Sequence, residues 1–234
     1  AFLVRQGKIA EARKVLAALT GKPLPDDAEL AVHQPQKTEQ SLAALFSNNR
    51  ALSTLMFFQA FFMCLLMVYG LGSWLPKLMT MAGYGFGSSL MFLLFLNIGG
   101  IIGAIGGGWL SDRFHPRPVL MLFFTLAAVS LALLGFKSHV AVLYFLVTVA
   151  GATTIGSQIL LYAYVAQFYP TAIRSTALGW SSGVGRIGAI LGPVLGGALL
   201  AMQLSHQMNF LAFVVPGALA VIAIMLTAGR KEAV

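Results

Sequence analysis

From residue 51 onward the chain is a succession of apolar runs, each long enough for a helix to cross a bilayer, and that pattern leaves few folds open. A hydrocarbon core of about 30 Å takes roughly 20 helical residues. Six runs suit it: 51–75, 88–110, 119–136, 140–166, 176–202 and 208–227. Each must be helical, because lipid offers no partner for an unpaired backbone N–H or C=O. The period-two alternation of a β-barrel strand is absent. The expected fold class is all-α integral membrane. Composition agrees, with 58% of residues hydrophobic and 9% charged, against roughly 25% charged in a soluble domain. Between residues 51 and 228 the charges are Lys77, Asp112, Arg113, Arg117, Lys137, Arg174 and Arg186, and Asp112 alone is acidic. No water-exposed surface can be built from that set.

A net charge of +8 would suggest nucleic acid as the partner of a soluble protein. Here the bias of basic residues toward cytoplasmic loops accounts for it, and no nucleic-acid partner is expected. Arg50, Arg113, Arg117, Arg174, Arg230 and Lys231 fall on one side of the six spans, Lys77 and Lys137 on the other. That places both chain ends in the cytoplasm, with the protein in the cell (inner or plasma) membrane and the lipid bilayer as its first partner. Residues 1–50 precede the spans. Over 1–19, Phe2, Leu3, Ile9, Ala12, Leu16 and Leu19 oppose Arg5, Lys8, Arg13 and Lys14, the pattern of an amphipathic helix. Gly21, Pro23 and Pro25 end it and a polar linker follows. Residues 229–234 form a tail. The opening on Ala1, with no signal peptide behind it, is the pattern of a fragment. Cys64 is the single cysteine, so no disulfide forms within the chain.

Arg186 is the most informative residue. Twelve residues beyond Arg174, at 1.5 Å each, it lies about 18 Å up the fifth span. A cation near the bilayer midplane costs several kcal/mol unless water or an anion compensates it. No acid lies within any span, so its partner is either a carboxylate from elsewhere, an anionic ligand, or the backbone carbonyls around the nearby glycines. Gly183-Val-Gly185-Arg186-Ile-Gly188 matches G-x-G-x-x-G, but without a preceding strand or a later acid it is no dinucleotide site. Gln59, Phe62, Leu66, Tyr69 and Ser73 fall within about 80° of arc on the first span. Asn97 on the second span, Gln158 and Tyr162 on the fourth and Ser182 on the fifth are further polar candidates. Singly such groups serve as interhelical glue. With Arg186 they suit a flat, apolar ligand bearing one carboxylate. Phe61, Trp74, Trp109 and Trp180 are expected near span ends or lipid faces, as anchors or packing.

Two spans carry glycine every fourth residue: Gly99, Gly103 and Gly107 in the second, Gly188, Gly192 and Gly196 in the fifth. Such stripes permit close backbone approach, either as static packing or as surfaces that slide. Pro193 and Pro216 permit bends. His33, His115, His139 and His206 are expected in loops or the linker. With no nucleophile–base pair, metal-ligand cluster or phosphate loop, neither catalytic nor metal residues are assigned, and the chain is expected not to be an enzyme.

Three stretches resemble the major facilitator superfamily. Gly108-Trp109-Leu110-Ser111-Asp112-Arg113-Phe114-His115-Pro116-Arg117 is similar to its loop signature G-x-L-x-D-R-x-G-R-[RK], with His115 in place of the glycine and Pro116 in place of a basic residue. Tyr169-Pro170-Thr171-Ala-Ile-Arg174, running on to Gly179, resembles Y-P-T-x-x-R-x-x-x-x-G, and Phe2-Leu-Val-Arg5-Gln-Gly7-Lys8-Ile-Ala-Glu11-Ala12 resembles the helix of the central cytoplasmic loop. Within the superfamily, 62–76 together with Arg174 and 183–193 resemble the aromatic acid:proton symporters, benzoate transporters above all. The resemblance implies the C-terminal six-helix bundle of a twelve-helix transporter, preceded by a cytoplasmic amphipathic helix. It implies import of a benzoate- or hydroxybenzoate-like carboxylate with protons, by rocking of two bundles about a midplane site. Arg186 would pair with the carboxylate, while Gln59, Tyr69, Asn97, Gln158, Tyr162 and Ser182 hold the ring. Gly108, Asp112, Arg113, Arg117 and Arg174 would form gating contacts. No cofactor is expected. The energy source would be the proton gradient, its titrating acid lying in an Asp-Gly-x-Asp motif of the N-terminal half, the partner absent from this chain. Transport of another organic anion or a sugar, or a self-contained six-helix channel or scaffold, are the alternatives.

Overall fold

The computed structural model describes residues 42–227 together with Ile9 and Glu11, both helical. The expected helix over 1–19 is otherwise outside the described residues, as are the linker up to Ser41, the 229–234 tail, and Arg230 and Lys231. Among the described residues every regular element is a helix: α1 (Leu42–Phe46), α2 (Ala51–Met81), α3 (Phe86–Phe114), α4 (Pro116–Leu134), α5 (Val140–Phe168), α6 (Arg174–Ala201) and α7 (His206–Leu226). The last six are each long and apolar enough to cross a membrane.

The helix ends follow local chemistry more closely than hydropathy. The first span is expected to stop before Pro76, yet α2 runs on to Met81. Proline removes one backbone donor, but Leu78 and Met79 beyond it are buried, and Thr80 Oγ1 donates to the Pro76 carbonyl at 2.9 Å. Between α3 and α4 the expected connection, 111–118, contracts to His115, which has φ 73°. That is backbone space favouring glycine, the residue the resembled signature carries there. Pro116 then starts α4, where its missing N–H is harmless. The short α1 lies within 1–50, beyond the single helix expected there. Asn48 and Asn49, with φ 52° and 60°, turn the chain from α1 into α2, and asparagine tolerates that region better than most residues.

Glycines set the helix pairing. α2 packs most extensively on α6, α3 on α5, and α4 on α5 and α7. A Cβ at Gly99 would strike the Thr148 carbonyl oxygen, one at Gly103 that of Ala152, and one at Gly151 that of Leu96. On the other pair, Gly188 abuts the Phe62 carbonyl, Gly192 lies on Leu66 and Gly70, and Gly196 lies under the Trp74 ring. Gly99, Gly103, Gly188 and Gly192 thus make backbone-on-backbone contacts, a principal source of helix association where no hydrophobic effect operates, while Gly107 and Gly196 make room for the Phe123 and Trp74 rings.

Hydrogen bonds gather the connections at two ends. At one end Tyr169 pairs with Thr54 (2.7 Å), Tyr164 with Thr227 (3.0 Å), and Arg117 Nη2 donates to the Met225 carbonyl at 2.8 Å. At the other, Tyr84 donates to the Ser138 carbonyl (3.3 Å) and a His206 ring nitrogen approaches the Leu134 carbonyl (3.2 Å). Contrary to the loop expectation, His206 is the first residue of α7, after the Ser205 hydroxyl, which caps it by accepting from Met208 N.

Candidate functional site

Arg186 lies where α6 passes the middle of α2. Residues packed at 185, 188 and 192 meet Phe61, Phe62, Leu65 and Leu66, so the glycines fix how far its side chain must reach. Its Nη1 donates to the Tyr69 hydroxyl at 3.0 Å. Both side chains are exposed on one face of the bundle. No carboxylate lies within any of the six apolar runs; Asp112 stands near the C-terminal end of α3. A guanidinium has five N–H donors, and one phenol oxygen leaves four of them without an acceptor among the described residues. Tyr69 is held firmly from behind: a Cβ on the next residue, Gly70, would meet the Phe213 ring of α7 at 2.6 Å and the Gly192 carbonyl of α6 at 3.3 Å.

The other candidates divide. Tyr162 of α5 stands edge-on to Phe61 of α2, ring centroids 5.0 Å apart, and Phe61 in turn packs at Gly185. The three helices therefore meet beside Arg186. Gln59 and Gln158 are half-buried, and neither makes a hydrogen bond with a described residue. Asn97 is exposed on α3 and its amide donates back to the Leu93 carbonyl at 2.8 Å. Ser182 likewise donates to Gly179 (3.1 Å). Phe61 is fully buried, not on a lipid face, because the glycine-lined surface of α6 leaves room for its ring. Trp74, expected as an anchor or in packing, donates from Nε1 to the Pro193 carbonyl at 2.7 Å. Trp109 and Trp180 are exposed.

The residues expected in gating contacts all lie at the end that carries Arg50. Gly108 has open space where a Cβ would stand. Asp112 is exposed and makes no ion pair with a described residue. The Arg113 guanidinium lies 5.9 Å from the Trp109 ring centroid, within cation–π range, and in the last turn of α3 it also complements the helix dipole. Arg117 caps α7 through Met225. His115 sets its ring edge-on to Tyr164 at 6.3 Å. Arg174 and Arg50 each have a buried Nε with no hydrogen-bond partner, and Arg50 is only 7% exposed.

A network that the residue pattern does not reveal joins the same end. Thr54 Oγ1 lies 2.7 Å from the Leu45 carbonyl, 2.9 Å from that of Arg50 and 2.7 Å from the Tyr169 hydroxyl. Burial pushes the Tyr169 phenol above its ordinary pKa, offset in part by the Thr54 hydrogen bond and the nearby Arg50 charge. The available signal was a threonine in the first turn of a span and a tyrosine opening a motif.

Comparison with known proteins bears on the whole bundle. Residues 98–233 match the Major Facilitator Superfamily. The benzoate transport protein of Acinetobacter baylyi is 44% identical over 98% of this chain and 50% of its own length. A gentisate transporter of Corynebacterium glutamicum is 48% identical over 66% of this chain and 35% of its own length. The 4-hydroxybenzoate transporter PcaK of Pseudomonas aeruginosa is 36% identical over 96% of this chain and 51% of its own length. Each is named for transport, not catalysis, and the chain spans about half the length of the curated relatives it matches, or less. With six apolar helices and a family match over more than half its residues, this is a multi-pass membrane protein, and the chain belongs to the Major Facilitator Superfamily.

Proposed function

We propose that this bundle is the C-terminal half of a transporter that imports an aromatic carboxylate, benzoate or a hydroxylated relative, together with protons across the cell membrane. The observation that carries this is Arg186: a cation midway along a span, with Tyr69 as its protein partner and no acid in the apolar runs. A ligand carboxylate supplies the missing charge. An apolar ring then sits against Tyr162, which the buried Phe61 ring backs edge-on, with Gln59 and Gln158 free to meet ring hydroxyls. Asn97 and Ser182 contribute less, since their side chains already bond to their own helices. The names of the relatives support this class of ligand.

Alternating access follows from rocking of this bundle against a second one around the Arg186 site. Gly108, Asp112, Arg113, Arg117 and Arg174 form the cytoplasmic closure. The orphaned Nε atoms of Arg174 and Arg50 favour carboxylates arriving from the other half, because a buried charge needs a partner. The spans offer no titrating acid and arginine stays protonated, so proton coupling belongs to the other half and no cofactor is required. In the whole transporter, Arg186→Ala is expected to abolish uptake of labelled benzoate while leaving membrane insertion intact. Normal uptake by that variant would overturn the assignment. Competition by benzoates, aliphatic acids and hexoses separates aromatic acids from another organic anion or a sugar.

A further inference from the structure

We infer that Tyr69 is a positioning and ligand-binding residue: its phenol fixes the Arg186 guanidinium and turns its own hydrogen toward the second oxygen of the bound carboxylate. The inference rests on the anion site proposed above. An arginine exposed to a cavity has four flexible bonds and many rotamers, and ordering it at the moment of binding weakens affinity. Here one Nη1 hydrogen is already taken up by the phenol oxygen at 3.0 Å. Because that oxygen accepts from a group that can only donate, its hydrogen points elsewhere. It remains available to an acceptor on the open side.

Tyr69 suits this task because its backbone cannot drift. Gly70 is wedged between the Phe213 ring on α7 and the Gly192 carbonyl on α6. Gly188, two residues beyond Arg186, abuts the Phe62 carbonyl of the same α2. The Arg186–Tyr69 distance is thereby set by backbone contacts on both sides of the pair, a preorganised arrangement of charge and donor. Tyr69 is itself 39% exposed, so the phenol is accessible from the face where the ligand would enter. The chemistry matched is a planar carboxylate with one oxygen on the guanidinium and the other shared with the phenol.

The test is Tyr69→Phe in the whole transporter reconstituted in proteoliposomes, with abundance measured in parallel. The ring stays, and only the hydroxyl is lost. A hydrogen bond to a charged group is worth enough for KM for benzoate to rise by about tenfold or more, with the maximal rate held within about twofold. An unchanged KM, or a loss confined to the maximal rate, overturns the inference. Arg186→Ala run beside it separates the two levels: inactive Arg186→Ala with wild-type Tyr69→Phe removes only the role of Tyr69, whereas active Arg186→Ala removes the anion site itself.

Discussion

The Thr54 hydroxyl ties together α1, the first turn of α2 and the residue that ends α5. The carbonyls of Leu45 and Arg50 can only accept, so Thr54 donates to them and the Tyr169 phenol must donate to Thr54. The two partners are therefore unequal. Tyr169→Phe leaves the Thr54 hydroxyl satisfied and is expected to cost about 1 kcal/mol or less. Thr54→Val leaves a buried phenol donor unpaired, since Tyr169 is 2% exposed, and is expected to cost about 1–3 kcal/mol. Thermal unfolding of the two variants in detergent checks this: the Thr54→Val midpoint should fall further. Tyr169 was visible in the sequence as the start of Y-P-T, but its partner lies 115 residues away, and no local pattern pairs them. Arg186 and Tyr69 were each legible from depth and helix face. Their bond, across 117 residues, was not. Asn97 and Ser182 look equivalent to Gln59 and Gln158 by position, yet the shorter side chains reach their own backbone one turn back, a competition that helix-face counting does not register.

Individual helices were largely legible, because twenty-residue apolar runs admit one kind of structure in lipid. Their ends were less so, since buried side chains carry α2 past Pro76 and a single positive-φ residue replaces the turn between α3 and α4. The period-four glycines were equally plain in the sequence. What they touch depends on which helices neighbour each other, which the sequence does not encode locally. The structure makes neighbouring glycines of α3 unequal. At Gly103 an added methyl collides with the Ala152 carbonyl of α5, whereas at Gly106 nothing lies within 4 Å. Gly103→Ala must force the two backbones apart and should lower the thermal midpoint by several degrees, in line with an overpacking cost of about 1–3 kcal/mol. Gly106→Ala should leave it unchanged or raise it, because alanine is the better helix former by about 1 kcal/mol. Comparable losses from both substitutions would show that the α3–α5 contact does not limit stability.

For the molecule as a whole, an even number of spans puts the two ends of the described bundle on one side, and the hydrogen-bonded connections show which residues share that side. Arg50, Arg113, Arg117 and Arg174 gather with Tyr169, Thr227 and the α3–α4 turn, while Lys77 and Lys137 belong to the opposite end with Tyr84 and His206. Basic residues are retained on the cytoplasmic side during insertion, and short connections obey that rule best. The proposed orientation therefore places the α5–α6 turn inside and the α4–α5 turn outside. Ser138 and Thr171 are both exposed, and the Ser138 contact with Tyr84 uses the backbone carbonyl, which a side-chain change spares. Cys64 is fully buried and adds little background labelling. In a whole transporter otherwise free of reactive thiols, Ser138→Cys should react with a membrane-impermeant maleimide in intact cells. Thr171→Cys should react only after permeabilisation. The reverse pattern would invert the bundle, and with it the side from which the Arg174 closure acts; labelling of both sites in intact cells would mean that the two turns are not separated by a membrane at all.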